Sequence, residues 1–118
     1  MGYNTANGRY ADTVPVTLHE SAARIASGNG SSVELGDRGV LRLLLDVTAA
    51  SGTLPSLSVD VQTSYDGTTW RTVGGFTALA TTGSERLSFA GCDRFVRASY
   101  AISGTTPSFT FSVSGEAV

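Results

Sequence analysis

The feature that most constrains the fold is a period-two alternation of apolar and polar residues, which recurs along most of the chain. It is clearest in "SLSVDVQTS" over residues 56–64. Successive side chains of a strand point to opposite faces, so this pattern predicts a strand with one buried face. Similar runs, which are short and separated by turn residues, lie at 13–18, 31–35, 40–49, 70–76, 85–90, 93–103 and 108–115. With no convincing helical period, they predict an all-β, antiparallel β-sandwich of about eight strands, either jelly-roll or immunoglobulin-like.

The turns between these runs include a repeat: "SGTLPS" at 51–56 returns as "SGTTPS" at 103–108. When the copies are aligned, Leu57 falls on Phe109 and Val59 on Phe111. We interpret the repeat as two similar strand–turn–strand hairpins, in which Gly permits unusual dihedrals and Pro enforces an extended entry to the next strand. One good turn used twice explains the repeat; a functional alternative is that both loops lie at one end of the sandwich and contact a partner.

The alternation is weak before residue 33. Residues 1–32 are polar and predict an extended N-terminal arm with one short strand at 13–18, whereas 33–118 predict the sandwich domain. The large apolar residues of the alternating runs predict the core: Leu43, Leu45, Val59, Val61, Trp70, Phe89, Phe109 and Phe111. Trp70 follows the Asp66-Gly67 turn, so a sugar-stacking platform is its alternative role, but a core position is favoured because Tyr65 is the only nearby aromatic residue.

Composition excludes several classes of protein. The length of 118 residues suits one domain, and 41% hydrophobic residues with 15% charged ones argue against disorder. No apolar run reaches the roughly 20 residues that span a bilayer, and the start resembles no signal peptide. The cations are scattered arginines and the net charge is −2, which argues against nucleic-acid binding. The single cysteine, Cys92, cannot form an internal disulfide, which suits folding in a reducing cytoplasm.

Motifs that carry chemistry are missing from the sequence. His19 is the only histidine and has no second ligand in a zinc-binding spacing, and the aspartates are spread singly. There is no nucleophile elbow and no phosphate-binding glycine loop. Cys92 has no histidine close in sequence, and the "NGS" at 29–31 is a sequon of a kind that arises easily in Gly/Ser loops. We therefore expect no enzymatic activity, no metal and no cofactor.

Residues 33–118 resemble a family of small virion structural proteins of tailed phages and prophages of high-GC bacteria. The resemblance rests on "DGTTWRTV", "DRFVR" and "GTTPSFTFSVSGE". It implies a component of the phage particle, made in the bacterial cytoplasm and located in the virion. For a small sandwich with an arm, the implied role is capsid decoration, and the alternatives are a head–tail junction or tail protein. A glycan-binding adsorption module that uses the Trp70 hairpin is an alternative of another class.

The implied partners are the major capsid protein or other virion subunits, and symmetric clustering of the protein itself, for example as a trimer, would add avidity. We expect the arm to order on a neighbouring subunit, because it is too poor in apolar residues to fold alone. The residues predicted to bind the partner belong to the arm and to the two repeated turns: Tyr3, Arg9, Tyr10, Val14, Val16, Leu18, Ser51, Thr53, Pro55, Ser103, Thr105 and Pro107.

Overall fold

The architecture is that of a computed structural model, which describes residues 13–118. Two strands are exceptionally long, and five shorter strands lie beside them. In chain order the strands are β1 (Val14–Arg24), β2 (Gly28–Asn29), β3 (Val33–Glu34), β4 (Leu41–Ser64), β5 (Arg71–Gly75), β6 (Gly83–Phe89) and β7 (Phe95–Ala117). All their pairings are antiparallel, and the described range contains no helix.

The two long strands organise the sandwich. β4 and β7 pair along their whole length, from Leu41 opposite Ala117 to Ser64 opposite Phe95, and both bend midway. On one side of the bend, β1 and β6 flank the pair and give the order β1–β7–β4–β6. On the other side, β2 and β3 flank β7, and β5 flanks β4. When each half of β4 and of β7 is counted as a separate strand, and β2 and β3 together as one, the molecule has two four-stranded layers in jelly-roll order. This confirms the predicted all-β sandwich.

The two layers face each other across an apolar core. The Tyr100 ring in one half of β7 lies 5.3 Å from the Phe111 ring in the other half. Near the opposite edge, the Phe76 and Phe89 rings are 5.5 Å apart. The described part of the molecule measures 54 × 28 × 19 Å. Half of the 24-residue β4 spans about 40 Å at about 3.3 Å per residue, which exceeds both shorter dimensions, so the strands run along the longest.

Most of the predicted core is confirmed. Leu43, Val59, Val61, Phe109 and Phe111 are fully buried, and Leu45 and Phe89 nearly so. Trp70 is the exception, because it is only half-buried and its ring lies 4.3 Å from the Arg97 guanidinium. Arg97 in turn donates a hydrogen bond to Gln62, whose neighbours along β4 point into the core. The prediction of a core Trp70 is therefore wrong: the ring packs on the outer face of the sheet.

The two repeated segments are not hairpin turns. The strands that flank each copy belong to one long strand and do not pair with each other; each pairs with the strand that carries the other copy. The interpretation as two strand–turn–strand hairpins is therefore wrong. Local sequence suggested it because Gly and Pro mark a reversal of the chain and a sharp corner in a strand alike.

The structure also corrects the predicted arm. The strand predicted at 13–18 exists, but it extends to Arg24 as β1 and pairs with β7 of the same chain, from Val14 opposite Ala117 to Arg24 opposite Phe109. Val16 and Leu18 are 6% and 1% exposed, so they belong to the chain's own core. The assignment of residues 13–32 to an arm that lies on a neighbouring subunit is therefore wrong. The part of the arm at 1–12 lies outside the described residues.

Candidate functional site

The two copies of the repeated motif form a single feature in space, which we call the tip (residues 51–56 and 103–108). Ser51 lies opposite Ser108, Ser56 opposite Ser103, and Thr53 opposite Thr105. Exchange of the two copies turns the first of these pairs into the second and leaves the threonine pair unchanged, so a local two-fold axis passes between the two threonines. The structure thus brings together the six tip residues predicted to bind a partner: Ser51, Thr53, Pro55, Ser103, Thr105 and Pro107.

Glycine allows the two copies to cross at close range. Gly52 and Gly104 have φ angles of 116° and 121°, which side chains rarely tolerate. A Cβ atom built on Gly52 would lie 2.8 Å from the Cα atom of Pro107. One built on Gly104 would lie 2.9 Å from the Cα atom of Pro55. The repeat of Gly and Pro therefore reflects one tight crossing, in which each glycine makes room for the proline of the other copy.

Two residues of the tip hold a strained backbone. Leu54 and Thr106 occupy equivalent positions in the two copies, and both have a φ angle of 50°. Left-handed backbone is uncommon outside glycine and a true outlier for a β-branched residue such as threonine. The side chain of Leu54 is 88% exposed, so burial does not offset the strain at this position. Strained backbone of this kind clusters at functional sites.

Two other segments meet the tip at this end of the sandwich. The backbone N–H of Ile102 donates to Ser27 Oγ at 2.9 Å, which places the β1–β2 connection beside the tip. Two backbone hydrogen bonds of 2.8 and 2.9 Å join Leu57 to Leu79. No charged residue occurs in the segments that meet here, and we call them the uncharged end: residues 25–32, 48–58, 76–84 and 98–110. Ile25, on this end, is 73% exposed.

The opposite end of the sandwich carries charges. Arg71 pairs with Asp93 at 3.3 Å, and Arg94 with Glu34 at 2.7 Å. In the turn that joins β4 to β5, Asp66 Oδ1 accepts hydrogen bonds from the backbone N–H groups of Thr68 and Thr69. These bonds favour the carboxylate and hold the pKa of Asp66 well below its usual value. The two ends therefore differ: one carries ion pairs, whereas the connections at the other contain no charged residue of their own. The charged residues that border these connections are already engaged, since Arg24 donates to His19 and Glu85 accepts from Thr77.

The other predicted partner-binding residues do not join the tip. Val14 pairs with Ala117 at the charged end and is 37% exposed, while Val16 and Leu18 are buried in the chain's own core. Tyr3, Arg9 and Tyr10 lie outside the described residues. Sequence reasoning passed over Leu54 and Ile25, the two large apolar side chains that the uncharged end exposes. Their signal was local: each is an isolated aliphatic residue within a polar, uncharged connection.

His19 lies in the interior of the protein, which the sequence analysis did not predict. It is 4% exposed and stacks on the Phe111 ring, with ring centroids 4.1 Å apart. Nδ1 lies 3.1 Å from the Phe111 carbonyl oxygen, and Arg24 Nε–H donates to Nε2 at 3.0 Å. Because Nε2 accepts a hydrogen bond from Arg24, the ring proton lies on Nδ1, which donates to the Phe111 carbonyl oxygen, and the imidazole is neutral. Burial, opposed in part by the Phe111 carbonyl, lowers the pKa of His19.

The described residues form no recognisable catalytic or metal-binding group. Residues 13–118 hold no cluster of three His, Cys, Asp or Glu side chains that could bind a metal ion. Burial raises the pKa of the Cys92 thiol, with a further contribution from Asp93, so the reactive thiolate is disfavoured. A groove of about 270 Å³ on the outer face of β4 and β6 is lined by Arg42 and Arg86, but Glu116 already pairs with Arg42 at 3.2 Å.

Trp70 does not form an open sugar platform. The Arg97 guanidinium covers one face of the indole at 4.3 Å, so that face is occupied by a protein group. Tyr65, at 73% exposure, is the freer aromatic side chain of that end. Within the described range there is also no helix long and apolar enough to cross a membrane.

Comparison with known proteins gives similarity of fold alone. No family model and no curated protein matches the sequence. Among solved structures, the chain is similar to a chain in "Structure of infectious bursal disease virus Gx strain", with a TM-score of 0.56 and 13% sequence identity. The match covers 90% of this chain but 31% of the viral chain, so this chain spans about a third of its length. At this identity the match establishes a shared β-sandwich architecture.

Proposed function

We propose that this chain is a non-enzymatic structural protein of a virus particle, and more specifically a decoration protein of a tailed-phage capsid. The observation that carries the proposal is the jelly-roll sandwich itself, whose architecture is similar over 90% of the chain to part of a chain in a virus structure. The resemblance of residues 33–118 to small phage virion proteins supports the same role.

The chemistry of the described residues fits a structural role. The polar side chains that could act in catalysis are used inside the fold: His19 is neutral and held between Phe111 and Arg24, and Asp66 closes a turn. The surface available to a partner includes the tip, which has strained backbone at Leu54 and Thr106 and exposes the Leu54 side chain. A surface of this kind binds a partner and performs no reaction. The partners we propose are the major capsid protein or other virion subunits.

Two variants of this role share the same chemistry. A head–tail junction or tail protein would also be a non-enzymatic sandwich that binds virion subunits, and a homo-oligomer on the particle is compatible with either position. The glycan-binding alternative has less support, since Arg97 covers a face of Trp70. Tyr3, Arg9 and Tyr10 remain predicted partner contacts.

Co-sedimentation with particles tests the proposal. Purified protein is mixed with phage particles produced without it, the particles are pelleted, and the bound protein is quantified; protein spun alone is the control. We expect saturable binding at a fixed number of copies per particle, and electron microscopy of the pelleted particles locates the copies on head or tail. Binding to a glycan array together with no binding to particles would contradict the proposal.

A further inference from the structure

We infer that the uncharged end is the docking surface, and that it inserts into an uncharged, partly apolar recess of another protein, with Leu54 as its main anchor. This rests on the proposed function only in naming the other protein as a virion subunit. The observation behind it is a juxtaposition: four connections without a single charged residue meet at one end, and the large apolar side chains that they expose are Leu54 and Ile25.

The lack of charge sets the chemistry of the partner. A charged surface in the partner would lose its hydration against the uncharged end and find no opposite charge to replace it. An uncharged recess that offers apolar surface and backbone N–H and C=O groups has no such penalty. It can bury Leu54 and can hydrogen-bond the Ser and Thr hydroxyl groups of the tip. Binding of this kind depends little on salt, because no screened attraction contributes to it.

Leu54 is the anchor because the fold itself does not require a leucine there. The equivalent position in the other copy holds Thr106 with the same φ angle of 50°, so the corner also accommodates a polar residue. Leu54 is 88% exposed and buries almost no surface within its own chain. Burial of a leucine side chain in a partner contributes roughly 1.5–3 kcal/mol, which corresponds to about tenfold or more in affinity.

A recess engages more of the tip than a second copy of the chain does. A flat, tip-to-tip contact between two copies buries only the outermost surface of each tip, whereas a concave partner also contacts the flanks and so approaches the roughly 800 Å² per partner of a standard stable interface.

The test is a binding titration with particles produced without the protein, using Leu54→Thr as the main variant. This substitution makes the two copies of the motif identical and replaces the exposed isobutyl group by the hydroxyethyl group that Thr106 already carries at the equivalent position. Ile25→Ser removes the second exposed side chain by a change that does not touch the strained corner. Tyr65→Ser is the matched control, because Tyr65 is 73% exposed at the charged end. Thermal unfolding of each variant establishes that it is folded.

We expect Leu54→Thr to weaken binding about tenfold and Ile25→Ser to weaken it less, with Tyr65→Ser unchanged. We expect the wild-type Kd to change less than about threefold between about 0.05 and 0.5 M salt. If wild-type protein binds but Tyr65→Ser weakens binding and Leu54→Thr does not, the docking surface is wrong and the proposed function stands. Strong salt dependence, or a wild-type dimer that Leu54→Thr dissociates, overturns the uncharged recess. No wild-type binding at all overturns both proposals.

Discussion

Gly104 shows how a single residue can be fixed by two constraints at once. Its φ angle of 121° disfavours any side chain, and an added Cβ atom would lie 2.8 Å from the Leu54 carbonyl oxygen. Gly91 separates the two constraints, because it also has a positive φ of 74° but nothing within 4 Å of an added Cβ. Alanine substitution at these two glycines therefore tests whether the close approach of the two copies adds to the cost of a side chain.

We expect Gly104→Ala to destabilise the protein by about 1–3 kcal/mol, and by more than Gly91→Ala does. Both variants place a side chain at positive φ, with greater backbone strain at 121° than at 74°, and the clash with the other copy of the motif occurs only at Gly104. Chemical denaturation of both variants measures the free energy of unfolding. Equal losses at the two positions would mean that the two copies are not packed against each other as described.

His19 makes the free energy of unfolding depend on pH, in a direction that its lowered pKa determines. Its pKa in the folded protein is lowered from the ordinary value of 6.5, whereas the unfolded chain binds a proton near that value. Below pH 6.5 the unfolded state therefore binds more protons, and stability falls as the pH falls toward the folded pKa. At higher pH, His19 is neutral in both states and this loss disappears.

We expect the free energy of unfolding to decline as the pH is lowered from 6.5 to about 5, above the range in which ordinary carboxylates titrate. His19→Gln is the matched variant, since its amide can donate to the Phe111 carbonyl oxygen and accept from Arg24 without titrating. The variant should show a flatter profile over this range, whatever its absolute stability. Parallel profiles for the two proteins would show that another group is responsible.

At the scale of elements, the sequence was sufficient to locate most of the strands but not to predict which strands pair with each other. Period-two alternation is a local property, and it located the strands of 40–49, 56–64 and 108–115 within a few residues. Pairing depends on contacts between distant segments, so the local signal could not reveal that β4 and β7 run unbroken through their corners. The repeat itself held that information, because two identical corners suit two strands that bend side by side.

The second half of β1, residues 19–24, escaped prediction for a related reason. Its pairing with β7 contains register shifts between Thr17 and His19 and again between His19 and Ala22. Each shift breaks the alternation, so "HESAAR" shows no strand pattern although it forms part of an 11-residue strand. The same irregularity lets Leu18 and His19, adjacent in sequence, both lie in the interior. The tip was partly predictable, since its polar residues were named from the repeat, but its contact with the β1–β2 connection required the fold.

Truncation tests the position of β1. Deletion of residues 2–30 should abolish cooperative thermal unfolding, because it removes the β1 ladder along β7 and takes Leu18 and His19 out of the core. Deletion of residues 2–12 is the control, since it leaves every described strand pairing intact, and it should retain a cooperative transition. A stable, cooperatively unfolding protein after the longer deletion would restore the view of residues 13–30 as an arm.

At the scale of the whole molecule, the jelly-roll order gathers connections that alternate along the chain into two opposite ends of the sandwich. Charged residues alternate with apolar ones along the chain, yet the connections at one end contain none, while Arg71–Asp93 and Arg94–Glu34 pairs lie at the other. The separation follows from topology, because successive connections of antiparallel strands alternate between the two ends. The two ends of the sandwich thus differ in their chemistry although the segments that form them alternate along the chain.

Hydrogen exchange on the intact protein tests this orientation without any substitution. When the protein is bound to particles, we expect slower amide exchange in residues 25–30, 51–56 and 103–108, because the partner shields the tip and the β1–β2 connection beside it. Exchange in 36–40 and 65–70, at the charged end, should stay as in the free protein and serves as the internal control. Protection confined to the charged end would mean that the molecule docks the other way round. In that case Leu54 and the strained corner would face solvent on the particle.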